Sequence, residues 1–165
     1  MVLSGQTIRK RGVFVPFCER TKAFGMTYGL GPAGYDVRIA ENLVIPAGGS
    51  ALASTVEWFG MPNDLLGRVA DKSTWARRFL TVQNTIIEPG WCGYLTLELT
   101  NHNTPAPWWC FWRRNEGSIE IKAGMPIAQI TLEQLDESTE CLYRGKYQRQ
   151  GPGAQPAILE SCFCE

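Results

Sequence analysis

The sequence predicts a mainly β chain, a sandwich or barrel built from short strands. Three observations predict it. Seventeen Gly and ten Pro in 165 residues supply turns at a density that a helical bundle does not use. Short runs of strand character recur, each bounded by Gly, Pro, Asn or Asp. Two segments, Tyr94–Thr100 and Ile127–Leu132, alternate apolar and polar residues with the period of two that a half-buried strand requires. The length fits one domain over residues 1–165, long enough to bury about 70% of the surface its unfolded chain exposes. Such a core needs neither disulfide nor metal.

Taken in order, Ser4 is placed to cap a short helix running through Ile8 to Arg11. Residues 25–34, rich in Gly, read as a loop. Strand character follows at Asp36–Ile39, Leu43–Ile45, Ser50–Ser54 and Leu65–Ala70. A polar break at Asp71–Thr74 leads into Trp75–Arg78, which has the makings of one helical turn. Strand character resumes over Leu80–Ile87, and Glu88-Pro89-Gly90-Trp91 reads as a turn before the Tyr94–Thr100 strand. The segment Pro107–Arg114 packs three Trp into five positions. That composition suits either a base-stacking platform or a hairpin and subunit contact, and the balanced charge favours the contact. The tail from about 145 is rich in Gly, Gln and Pro and reads as irregular and mobile until something binds it.

Composition excludes several classes. Sixteen basic and sixteen acidic residues argue against a nucleic-acid-coating protein. No run of about 18 apolar residues exists for a membrane helix, and the N-terminus lacks the charge-then-apolar order of a signal peptide. Six cysteines without a C-x-x-C pair read as reduced thiols of a cytoplasmic protein, with Cys162 and Cys164 a weak candidate redox or metal tail. Gly29-x-Gly31-x-x-Gly34 matches a dinucleotide fingerprint literally, but Pro32 lies inside it and a strand pattern follows where a helix is needed. His102 is the lone histidine and reads as an exposed turn residue. The H-x-E and P-C-x-x-C elements of zinc deaminases are missing, so no protein-bound zinc is expected. Chemistry must come from carboxylates, Arg, Lys and hydroxyls.

Two patterns carry such chemistry. Ser73 and Arg77, four apart on a helical turn, share a face, and Lys72 adds charge at a turn start suited to phosphate. In the Tyr94–Thr100 strand, Leu95, Leu97 and Leu99 take the core face, and Thr96, Glu98 and Thr100 the other. Glu98 is then either a surface carboxylate or, if it faces a pocket, an acid/base.

Five segments occur in order: Ser73-Thr74-Trp75-Ala76-Arg77-Arg78, Glu88-Pro89-Gly90-Trp91-Cys92-Gly93, Leu95-Thr96-Leu97-Glu98, Gly124-Met125-Pro126-Ile127-Ala128-Gln129 and Gly145-Lys146-Tyr147-Gln148-x-Gln150. Together with Gly34-Tyr35-Asp36-Val37-Arg38 they resemble the dCTP deaminase branch of the trimeric dUTPase superfamily, over roughly residues 30–153. The resemblance implies a distorted jelly-roll-type β-barrel with short helices, a homotrimer with sites between subunits, and metal-independent deamination of dCTP to dUTP. It implies Glu98 as the catalytic glutamate, with Ser73 and Arg77 as its partners. It implies substrate contacts from Lys72, Ser73, Thr74, Arg77, Glu88, Thr96, Leu97, Lys146, Tyr147 and Gln150. Mg2+ would arrive on the substrate triphosphate, and neither nucleic acid nor membrane is an expected partner. The chain departs from the family pattern at Glu88, where an aspartate is usual. The stretch from Arg77 to Glu88 is two residues shorter, without the pattern linked to dTTP feedback, and the Trp-rich segment looks inserted. Two other readings remain: a bifunctional enzyme that carries dCTP on to dUMP and pyrophosphate, and a non-catalytic nucleotide-binding regulator.

Overall fold

The structure is a computed structural model that describes residues 1–110, 112 and 115–159. Phe111, Arg113 and Arg114 of the Trp-rich segment, and Cys162 and Cys164, lie outside the described residues. Helix α1 (Gly5–Arg11) starts after Ser4 and ends at Gly12, whose φ of 63° gives the left-handed turn that Gly tolerates. Ser4 makes no capping bond; its hydroxyl lies 3.2 Å from Thr7 Oγ1 instead. Three basic residues fill the last turn, where the helix dipole favours them.

Among the described residues twelve strands follow: β1 (Phe14–Val15), β2 (Thr21–Ala23), β3 (Met26–Leu30), β4 (Tyr35–Arg38), β5 (Leu43–Ile45), β6 (Ser50–Gly60), β7 (Leu65–Asp71), β8 (Leu80–Val82), β9 (Ile86–Ile87), β10 (Cys92–Asn101), β11 (Ile119–Ile121) and β12 (Pro126–Gln134). One turn of helix, α2 (Ser73–Ala76), sits between β7 and β8. Two antiparallel sheets run β1-β6-β10-β8 and β2-β3-β4-β12-β7-β9, with β11-β5 as a small third. They curl around one core in a distorted jelly roll. Phe14 of β1 stacks on Tyr35 of β4 at 4.2 Å and meets Phe59 of β6 edge-on at 5.1 Å, so aromatic contacts join the two large sheets.

Strand β6 is the stitch between sheets. It pairs with β10, but the register jumps between Tyr94↔Trp58 and Thr96↔Ser54, leaving β6 two residues longer there. The looped-out residues reach across. Thr55 bridges to Ile39, and buried Glu57 accepts from Arg38 N at 2.9 Å and Arg38 Nε at 2.7 Å. Burial pushes the Glu57 carboxyl up, against the lowering effect of these bonds.

Three sequence expectations change. Residues 25–34 are not all loop: Met26–Leu30 is a strand, and Gly29 is there because a Cβ would meet the carbonyl oxygens of Glu19 and Cys18 at 2.6 and 2.7 Å. Strand β6 runs to Gly60 rather than stopping at Ser54. The Leu80–Ile87 run is two strands, because Gln83–Thr85 leave the ladder: β8 pairs with β10, whereas β9 pairs with β7.

Candidate active site

The alternation of β10 places Glu98. Leu97 and Leu99 are buried in the core, and Glu98 points to the other face. Its backbone is held on both sides, by pairing with Leu52 of β6 and by the Gln83 amide donating to its carbonyl at 3.0 Å. Its side chain enters a cavity of about 320 Å3, within the range of small-molecule sites. The strand contributes Leu95 and Thr96. The stretch that follows β8 contributes Thr85, Ile86, Ile87, Glu88 and Trp91, and the tail contributes Tyr143, Tyr147, Gln150 and Gln155. The lining is largely apolar. Glu98 Oε2 is buried there with no hydrogen-bond partner. Burial therefore raises the Glu98 carboxyl above the ordinary range, only partly offset by a bond from its own amide. A carboxyl so placed holds its proton more tightly than an exposed one.

The tail is irregular, as its composition implies, and it is fastened to the turn before β10 and to β10 itself. Trp91 Nε1 donates to the Tyr147 carbonyl at 2.7 Å, and Cys92 N to Gln148 Oε1 at 2.8 Å. Tyr94 N donates to the Gln150 carbonyl at 3.0 Å, and Gln155 N to Thr96 Oγ1 at 3.0 Å. Gly93, at φ 145°, allows the approach: a Cβ there would lie 2.6 Å from Gln150 N. Lys146 Nζ donates to the Ile158 carbonyl, and Ile158 N donates to the Tyr147 hydroxyl at 2.9 Å.

The structure therefore gathers Glu88, Thr96, Glu98, Tyr147 and Gln150 around one cavity, with Lys146 exposed beside Tyr147. Leu97 lies in the core and lines neither this cavity nor the polar one beside Lys72. The α2 residues stand apart. Lys72 and Ser73 line a second, polar cavity of about 260 Å3 with Asp36, Asp71 and Gln129. Lys72 is buried and its ammonium is bound to Asp36 Oδ2 at 2.6 Å. Trp75 anchors α2 by donating to the Pro126 carbonyl at 2.7 Å. Thr74 and Arg77 are exposed, line neither cavity, and Arg77 Nη1 reaches back to the Ser73 carbonyl at 3.4 Å. Sequence reasoning missed Tyr143, Gln155, Ile86 and Leu52 as lining residues. Ile86 and Leu52 had strand character only, and Tyr143 and Gln155 lie in segments without period. His102 is exposed, as expected, and its ring meets Thr81 Oγ1 at 2.9 Å.

Known proteins resemble the chain in both sequence and shape. A family model described as dCTP deaminase-like matches residues 29–108. A dCTP deaminase of Campylobacter hominis is 34% identical, across 92% of this chain and 90% of that protein. One from Campylobacter jejuni is likewise 34% identical, across 92% of each chain. Among solved structures, the native EIAV dUTPase superposes with a TM-score of 0.55 at 18% identity, covering 81% of this chain and 97% of that one. A dUTPase of Staphylococcus bacteriophage 80alpha gives 0.56 at 18% identity, covering 78% of this chain and 83% of that one. The structural likeness shows the jelly-roll fold. The sequence likeness, at this identity over nearly the whole length, shows that the chain belongs to the dCTP deaminase family.

Proposed function

We propose that the protein is an enzyme that hydrolyses dCTP to dUTP and ammonia, with Glu98 as the general acid/base. One observation carries this reading: an unpartnered, buried carboxylate oxygen in the lining of a largely apolar cavity. Glu98 takes a proton from a water as that water attacks C4 of cytosine, and delivers it to N3. It then passes the second water proton to the leaving amine, so ammonia departs and the C4 carbonyl forms. Ser73 holds the water, and Arg77 offsets the developing negative charge. Glu88 meets the deoxyribose, Thr96 and the Leu97 backbone meet the base, and Lys72, Thr74, Lys146, Tyr147 and Gln150 hold the rest of the nucleotide. Among the described residues no three His, Cys, Asp or Glu side chains group as a metal cage would. Mg2+ enters as part of the substrate, carried on the triphosphate.

Ser73 and Arg77 do not line the Glu98 cavity of their own chain, which supports a homotrimer in which one copy completes the site of the next. The tail opens to admit the nucleotide and closes over it. The setting is cytoplasmic, where thiols such as Cys18, Cys92, Cys110 and Cys141 stay free.

A second reading has its own support. Glu88 lines the same cavity as Glu98, so a second base is at hand to direct water at the α-phosphate and release pyrophosphate. Ion-exchange analysis of products from dCTP with Mg2+, with dUTP in parallel, separates the two. Accumulation of dUTP supports the deaminase; dUMP and pyrophosphate support the bifunctional enzyme. No turnover of either nucleotide overturns both and leaves a binding role.

A further inference from the structure

Phe79 is at odds with an isolated chain. It follows α2 at φ 60°, in the left-handed region where a helix normally ends on Gly. A bulky side chain is strained there. The residue is also 63% exposed. The chain therefore bears backbone strain in order to hold an aromatic ring out into solvent. Two exposed cations, Arg77 and Arg78, precede it, so the end of α2 is a basic knuckle tipped by a phenyl group.

The complementary surface is the mouth of the Glu98 cavity. Its rim carries two exposed aliphatic side chains, Leu52 at 42% and Ile86 at 41%. Its lining carries two carboxylates, the exposed Glu88 and the half-buried Glu98, the latter with an unpartnered oxygen. An apolar rim around acidic groups matches a phenyl tip beside cations. The knuckle does not reach this mouth on its own chain. The Phe79 carbonyl is bound by the His102 amide at 2.8 Å. His102 lies four residues beyond Glu98, roughly 13 Å further along the strand direction.

We propose that Phe79 is the apolar anchor by which α2 of one copy seats against the mouth of the Glu98 cavity of a second copy of this chain. The ring packs between Leu52 and Ile86 of that copy, closes the mouth to water and sets Arg77 over the carboxylates. The left-handed backbone turns the ring outward from the helix end, which accounts for a strained Phe where Gly would be relaxed. The inference rests on the reading above that Ser73 and Arg77 complete the site of a neighbouring copy.

The test is sedimentation velocity of the full chain over a concentration series, for wild type, Phe79→Gly and Phe79→Asn. Gly and Asn both tolerate the left-handed backbone, so neither variant strains the fold, and Asn guards against loosening by Gly. The expected result is an assembled wild type and variants that dissociate at concentrations about 30-fold higher, the loss expected for one buried aromatic side chain. Turnover of dCTP per site in the variants is expected to return once the concentration is high enough to reassemble them. Variants that assemble as tightly as wild type overturn the anchor, as does a monomeric wild type that is fully active. An assembled wild type that leaves dCTP untouched, with variants that dissociate, sinks the deaminase reading and supports the anchor.

Discussion

Replacing Glu98 by Gln is expected to make the protein more stable and catalytically inert. The charge is the cause of both effects. Glu98 Oε2 is buried without a partner, and an unsatisfied buried polar group costs about 1–3 kcal/mol. The side chain is only half-buried, so the lower figure applies: a gain of about 1 kcal/mol, or about 3 °C in melting temperature for a domain of this length. The sign of the pH dependence follows from linkage. Burial raises the Glu98 carboxyl in the folded state above its unfolded value near 4.3. The folded protein then holds more protons than the unfolded one between those two values. Wild type therefore loses stability as pH rises from about 4.3 through the raised folded value, and then levels off. The Gln variant has no such loss. Its advantage is near zero at pH 4 and reaches its plateau above the folded value. Thermal melts followed by circular dichroism from pH 4 to 8 measure the difference. Deamination falls by about 10^3, in the range for removing a general acid/base. An advantage that does not change with pH, or a variant less stable than wild type at pH 8, refutes the reasoning.

Gly93→Ala places a Cβ against Gln150 N and O, at 2.6 and 2.9 Å, so the tail detaches from β10 while the core stays folded. Limited trypsin digestion after Lys146 and Arg149 is expected to speed up about tenfold, and an unchanged rate counts against tail docking at this point. Glu57→Gln leaves the Arg38 guanidinium without its buried counter-charge. It is expected to cost about 3 kcal/mol, seen as a melting temperature lower by about 9 °C; a shift under about 2 °C would show that Arg38 is satisfied by solvent. Trp75→Phe removes the donor to the Pro126 carbonyl and is expected to cost about 1–2 kcal/mol in urea unfolding, with no loss if water takes the donor's place.

Much of the fold is legible in local sequence because local physics decides it. Leu97 and Leu99 fix one face of β10 to the core, and Glu98 follows on the other face without further information, whereas Leu95, at the register shift, is buried but lines the same cavity as Glu98. Leu43–Ile45 is a strand over those same residues, and the turn at Glu88 closes with the Trp91 amide on the Glu88 carbonyl at 3.1 Å. What is not legible depends on partners distant in sequence. Whether Glu98 meets water or a pocket is decided by Tyr143, Tyr147 and Gln155, some 45 to 57 residues on, in segments without period. The far half of β6 was hidden because Glu57 sits there as a charged residue in an apolar run, and only Arg38, 19 residues earlier, makes it tolerable. Strands β1, β2 and β11, two or three residues each, are too short to show a period. The strand within residues 25–34 was hidden because Gly29 reads as a turn, whereas its cause is the passage of Cys18 and Glu19.

The Glu98 carboxylate is mounted mid-strand, with Leu52 of β6 as its ladder partner on one side and the Gln83 amide bound to its carbonyl on the other. Its position is consequently quantised. A loop-borne group drifts by fractions of an ångström when its surroundings change, and activity declines by degrees. Glu98 has no such intermediate settings. A slip of β10 by one residue swaps Glu98 for a leucine in the cavity and drives Thr96, Glu98 and Thr100 into the core. Length changes within Cys92–Asn101 should therefore be fatal, whereas between β10 and β11 none of the described residues stands in a ladder, so a change of length there leaves the Glu98 register untouched.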